Sequence, residues 1–323
     1  MSEPLIQVRD LKKSFALRGM MGSKRMVHAV DGVSFDIDQG ETFGLVGESG
    51  CGKTTLGRTV VRLYEPTAGD IFFEGNNIAK LEGNALAPYK RRMQIIFQDP
   101  YSSLNPYMNV EQIILESLNL KQKLPKSEAR DKVEQMLLKV GLNPSDMEKY
   151  PHEFSGGQRQ RIGVARALVV EPDFVLCDEP ISALDVSIQA QVVNLLEDLQ
   201  REMGLTYLFV AHDLSMVRHI SRRIAVMYMG RIVEIAPSRE LYKQPLHPYT
   251  KALLSAIPIP NPQLARESKR VPLMGDPPSP TREIVGCAFA GRCPHAMSKC
   301  RESAPELIDM GSEHQVACFL LKR

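Results

Sequence analysis

The sequence predicts an α/β fold: parallel strands alternating with helices, preceded by an antiparallel β subdomain, interrupted by an all-helical subdomain and followed by a Cys-containing C-terminal extension. Three observations predict it. Five short apolar runs, TFGLVG, MQIIF, FVLCD, TYLFVA and RIAVMYM, recur with helical patterns between most of them, the alternation that builds a parallel sheet covered on both faces. From Asn109 to Val170 only helical stretches occur, such as SEARDKVEQMLLKVG and QRQRIGVARALVV. Beyond about Tyr242 a series of prolines from Pro245 to Pro280 breaks any long element.

Composition narrows the function classes. Forty Lys and Arg against 38 Asp and Glu leave a net charge of +2, too little for a dedicated nucleic-acid binder. No apolar run approaches the roughly 18 residues that cross a bilayer. The start, MSEPLIQVRD, lacks a basic n-region and an apolar h-region. The chain is therefore expected neither to span a membrane nor to be exported, and no nucleic acid is expected as a partner.

Along the chain, IQVRDLKKSF and HAVDGVSFDI alternate apolar and polar residues and read as antiparallel strands with one wet face. The basic run from Lys12 to Arg25 between them reads as a solvated loop. The strand from Thr42 to Gly47 enters a Gly-rich turn, and GKTTLGRTVVRL continues as a helix. That turn, GESGCGKT, matches the phosphate-binding loop pattern in its required strand-to-helix context. Gly47, Gly50 and Gly52 let the backbone curl so that N–H groups face a polyphosphate. Glu48, Ser49, Cys51 and Thr55 complete the candidate loop; Lys53 can reach the β- and γ-phosphates, and the Thr54 hydroxyl can coordinate Mg²⁺. FVLCDEP delivers two acids at a strand end, where ligands of open α/β sheets bind. Asp178 suits Mg²⁺, through water, and Glu179 suits the orientation or deprotonation of an attacking water.

These residues, with four further motifs, resemble the ATP-binding subunits of ABC transporters. FSGGQRQR (Phe154 to Arg161) is similar to the family's signature, with Phe154 where Leu is commoner; Gln98 resembles the Q-loop glutamine, SALD (Ser182 to Asp185) the D-loop, and His212 the switch histidine. The resemblance runs from Ile6 to about Tyr242. It implies a P-loop NTPase core of ABC type over 1–242, with the helical subdomain inserted at about 99–170, and an ATPase that uses ATP and Mg²⁺. Ser155, Gly156, Gly157 and Gln158, which physically open a helix with outward N–H groups, would cap the γ-phosphate held by the opposite subunit. His212 would contact that phosphate, Gln98 would join Mg²⁺ coordination, and Asp185 would couple the two sites. Phe15 is the candidate for stacking on adenine, against the plainer reading of a half-buried strand Phe.

Two later stretches narrow the resemblance. QDPYSSLNP after Gln98, HPYTKALLSAIPIPNP from His247, and PPSP followed by GCAF, RCP and VACF resemble the oligopeptide and dipeptide importer subfamily. That resemblance implies a 243–323 extension and a peripheral subunit on the cytoplasmic face of the membrane. It also implies a second, related ATPase subunit, two membrane-spanning permeases and an external peptide-binding protein. The rival reading is a non-transport ATPase acting on DNA or ribosomes, but one motif set and no sustained heptads oppose it. Relatives in the subfamily also import nickel, glutathione and glycosides, and the solute is not encoded here.

Of six cysteines, Cys51 and Cys177 read as small packing residues. Cys287, Cys293, Cys300 and Cys318 are separated by five, six and seventeen residues, none of them the two-residue spacing of structural zinc fingers. Four thiolates suit Zn²⁺ or a [4Fe–4S] cluster, and unligated thiols are the third option. The subfamily resemblance points to iron and sulfur, with zinc as the less favoured occupant. His295 and His314 read as bystanders, and nothing in the sequence places this tail near the phosphates.

Overall fold

The computed structural model describes residues 3–18, 24–119, 124–257, 273, 275, 278–279, 281 and 284–321. The stretch 258–262, with Pro277 and Pro280 of PPSP, lies outside them.

The two N-terminal alternating runs form β1 (Ile6–Arg18) and β2 (Lys24–Ile37), paired antiparallel from Ile6 opposite Ile37 to Arg18 opposite Lys24. The pairing slips between Val8 and Leu11, where Asp10 takes φ 44°, so the apolar phase shifts from Ile6 and Val8 to Leu11. The chain then enters β3 (Thr42–Val46) of a second sheet, and α1 (Lys53–Val60) follows the Gly-rich turn. It returns to add β4 (Ala68–Phe73) and β5 (Asn76–Asn77) to the first sheet, in order β2-β1-β4-β5. Neither β4 nor β5 was expected; Gly69 and the two asparagines hide them from an alternation test.

After α2 (Gly83–Arg92), the second sheet gains β6 (Met93–Ile96). Next come α3 (Pro100–Ser103), α4 (Val110–Asn119), α5 (Lys126–Lys139) and α6 (Gly156–Leu168). Among the described residues no strand lies between β6 and β7 (Phe174–Asp178), which pair in parallel with Met93 opposite Phe174. α7 (Val186–Met203), β8 (Thr206–Val210), α8 (Leu214–Ile220) and β9 (Arg223–Tyr228) complete the parallel core, in order β9-β3-β8-β7-β6. Its strands are mostly apolar because both faces are covered. On β7, Phe174 and Leu176 join the core beneath the antiparallel sheet and α1, while Val175 and Cys177 join the core beneath the helical segment. Gly57 permits the close approach of α1: a Cβ there would lie 2.6 Å from a Leu176 methyl.

The chain after β9 continues in this same sheet. β10 (Arg231–Pro237) pairs antiparallel with β9, and α9 (Ser238–Lys243) and α10 (Pro248–Ser255) follow. After the short α11 (Ser298–Glu302), the extension contributes β11 (Ile308–Asp309) and β12 (Gln315–Val316). β12 pairs with β10 at Glu234 opposite Val316. Among the described residues no helix is long and apolar enough to cross a membrane.

Candidate nucleotide-binding site

The strand register builds the site. Leu45 of β3 and Asp178 of β7 both stand opposite Val210 of β8, so the three strands end level. The residues that follow, Gly47, Glu179 and His212, therefore meet at one sheet edge, with the Glu179 N–H donating to the Val210 carbonyl at 3.0 Å. Gly47 takes φ 156° and lies so close to β9 that a Cβ would sit 2.2 Å from the Met227 carbonyl oxygen. Gly52 precedes α1 at φ 108°, where a Cβ would meet the Ala29 carbonyl at 2.1 Å.

A cavity of about 420 Å³ opens over this loop, lined by Ser49 to Thr55, Phe15, Gln98 and Glu179. Lys53 is buried beneath it, its ammonium donating to the Gly47 and Glu48 carbonyls at 2.8 and 3.0 Å. Thr54 Oγ1 donates to Asp178 Oδ1 at 2.9 Å, and the Arg58 guanidinium holds Oδ2 at 3.0 Å through Nε and Nη2. Asp178 is fully buried, and these donors satisfy its two carboxylate oxygens. A hydroxyl and a carboxylate side by side are oxygen donors that fit Mg²⁺. Gln98 Nε2 donates to Glu179 Oε2 at 2.9 Å, and His212 Nδ1 lies 3.4 Å from the same oxygen. Glu179 holds φ 49°, a left-handed backbone for a non-glycine residue, of the kind that gathers at functional sites.

Not every expected residue faces the cavity. Phe15 does, at the rim and edge-on to Tyr64 at 5.5 Å. Cys51 does too, with burial pushing its thiol up. Glu48 is turned outward: its carboxylate accepts from Arg292 at 2.8 and 3.2 Å, and its N–H donates to the Tyr249 hydroxyl at 2.9 Å. Ser155, Gly156, Gly157, Gln158 and Asp185 lie outside the cavity lining. Ser155 caps α6 reciprocally with Gln158, at 3.4 and 3.0 Å, and Asp185 precedes α7, where Val186 is 81% exposed. Arg58 and Gly230 were not singled out in the sequence, and His28 and Met229 read there as packing residues, yet all four border or anchor the site. A glycine after an apolar strand, in VMYMG, was the available signal for Gly230, whose N–H donates to the Cys51 carbonyl at 2.8 Å.

The structure does not support the metal site expected in the tail, and it brings the tail to the phosphate-binding loop. Among the described residues no group of three or more His, Cys, Asp or Glu side chains is arranged to hold a metal. Burial pushes the Cys287, Cys293 and Cys318 thiols up, with neighbouring tail cysteines adding to each shift, which favours the thiol over the ligating thiolate. The four donors share one corner of the tail and suit a thiolate-bound group in chemistry, though not in closed geometry. The tail also does approach the phosphate-binding loop, through Arg292.

Comparison with known proteins agrees with this site. Residues 30–182 match the ABC transporter family model, and 233–300 match the oligopeptide/dipeptide transporter C-terminal region. The chain is 55% identical over 320 residues to YkfD of Bacillus subtilis, covering 99% of this chain and 96% of that protein. It is 50% identical over 321 residues to the oligopeptide transport ATP-binding protein AppF of the same organism, covering 98% of each. Its fold is similar to the ATP-binding cassette MJ0796, solved as a dimer bound to ADP and Pi. There the TM-score is 0.65 at 26% identity, covering 72% of this chain and 99% of that one. With the loop, both acids and the signature helix in place, the chain belongs to the ATP-hydrolysing, ATP-binding proteins of ABC transporters, among those that carry the oligopeptide/dipeptide C-terminal region.

Proposed function

We propose that this chain powers the import of peptides, as a peripheral ATPase subunit on the cytoplasmic face of the membrane. The observation that carries the reading is the pairing of an intact nucleotide site with the oligopeptide/dipeptide C-terminal region on residues 233–300. The partners are two membrane-spanning permeases, a second, related ATPase across the nucleotide interface, and indirectly an external peptide-binding protein. The exposed start of the signature helix, at Ser155 and Gln158, and the exposed Asp185 of the D-loop lie outside the lining of the chain's own cavity, which supports a head-to-tail pair. Residues 1–242 form the ATPase domain, the helical segment at about 99–170 acts on the permeases, and 243–323 form the extension.

Within the site, Lys53 and the loop N–H groups bind the triphosphate of ATP, and Phe15 stacks on adenine. Thr54, Gln98 and Asp178 hold Mg²⁺, which neutralises phosphate charge. Glu179 takes the proton of the attacking water, with Gln98 and His212 both meeting its Oε2. For the tail cysteines the reading is a [4Fe–4S] cluster, with zinc less favoured, supported by four thiols in one corner and by the subfamily resemblance.

Uptake tests the reading. Cells whose only copy carries Lys53→Ala should lose uptake of labelled tri- and tetrapeptides while keeping nickel and glutathione uptake. Loss of nickel or glutathione uptake with peptide uptake intact would replace peptides as the cargo.

A further inference from the structure

The C-terminal extension reaches the outer side of the phosphate-binding loop. Arg292 stands immediately before Cys293, and its side chain is only 8% exposed. Its two terminal nitrogens form a fork on the Glu48 carboxylate at 2.8 and 3.2 Å, and Nη1 also lies 3.4 Å from the Tyr228 hydroxyl. The backbone of the same loop residue is held as well, by the Tyr249 hydroxyl. Tyr228, Tyr249 and Phe289 pack as three rings with centroids 4.6 to 5.4 Å apart, which fixes α10 and the 287–293 segment against β9. Arg231 ties the segment a second time, donating to the Ile284 and Gly286 carbonyls at 2.9 and 3.1 Å while its fork holds Asp31.

Glu48 is an acid inside a loop that must accept a polyanion. A free carboxylate there would repel the phosphates and could compete for the Lys53 ammonium, which already donates to the Glu48 carbonyl. A planar guanidinium that is always charged both neutralises that carboxylate and fixes its direction, which a lysine does less well. We infer that Arg292 is a positioning residue for nucleotide binding: by holding Glu48 away from the cavity, the C-terminal extension sets the affinity of the loop for the triphosphate. The inference rests on ATP binding in this loop and is independent of the transported solute.

The test is a fluorescence titration of the full chain with the N-methylanthraniloyl derivative of ATP and magnesium. Arg292→Met should weaken binding about tenfold, as expected when a like charge is released beside a triphosphate. Arg292→Lys keeps the charge without the fork and should lose no more than about threefold. In a Glu48→Gln background the effect of Arg292→Met should fall to within about twofold, because there is no carboxylate left to restrain. An equal loss in both backgrounds, or no loss in the native one, overturns the inference. If Arg292→Met does not fold, Arg292→Gln, which keeps polarity and removes the charge, decides by the same criterion in the same two backgrounds. Lys53→Ala should abolish binding; binding that survives it overturns the loop as the site and the inference with it. Abolition by Lys53→Ala with Arg292→Met unaffected overturns the inference alone.

Discussion

Glu179 combines a left-handed backbone with a carboxylate whose Oε2 meets both Gln98 and His212. Such a backbone costs on the order of 1–3 kcal/mol in a non-glycine residue, a cost tolerated where geometry serves chemistry. Glu179→Gln keeps shape and hydrogen bonding but cannot take a proton. Hydrolysis by the assembled transporter, with the partner's site silenced, should fall by about 10² to 10⁴ while ATP still binds. Steady-state phosphate release within a few-fold of the native rate would remove Glu179 from the role of base. Lys53, Thr54, Asp178 and Glu179 were all legible in the sequence, since each stands at a fixed offset in a motif. Arg58 was not, because its partner Asp178 lies 120 positions away and only the packing of α1 on β7 joins them.

At the level of elements, His247 caps α10, its Nδ1 accepting the Tyr249 N–H at 3.1 Å while its backbone N–H donates to the buried Glu234. Burial pushes the imidazole down to about 4 from an ordinary 6.5. The unfolded chain then takes up a proton that the folded chain refuses. The stabilisation is complete above pH 6.5 and is lost as pH falls towards 4, by up to about 3 kcal/mol. Denaturant melts of the native chain and of His247→Asn, which keeps a capping acceptor without titrating, should diverge over that window, the native chain losing more. Parallel curves would show that His247 is not the group responsible. The short α3, next to Gln98, leaves Tyr101 exposed, and Tyr107 just beyond it is exposed too. If this element carries the state of Gln98 to the permeases, a photocrosslinker at Ser102 should capture their cytoplasmic loops. Capture only from positions in the extension would move the coupling surface there.

For the whole molecule, the extension is part of the ATPase sheet and touches its phosphate loop, so its own integrity bears on the nucleotide site. Protein purified without oxygen should carry about four irons per chain if the tail cysteines hold a cluster. Roughly one zinc per chain would replace that reading, and no metal would leave four unligated thiols as the functional form. In either metal-bound case Cys300→Ser should release the metal, measured by elemental analysis.

The sequence by itself determined the class of the core and the chemistry of the loop. Phosphate binding needs particular residues at particular short offsets, and parallel strands buried on both faces must be mostly apolar. It also marked the tail as a distinct stretch, since prolines and cysteines stand out locally. Only the tertiary structure decided where that tail goes. β12 on β10, Tyr249 under Glu48 and Arg292 on its carboxylate join residues between 80 and 244 positions apart. Such contacts depend on shape and charge complementarity between surfaces, which no local spacing encodes. The same holds for the level ends of β3, β7 and β8: each strand was visible alone, but the register that gathers Gly47, Glu179 and His212 exists only once the sheet has formed.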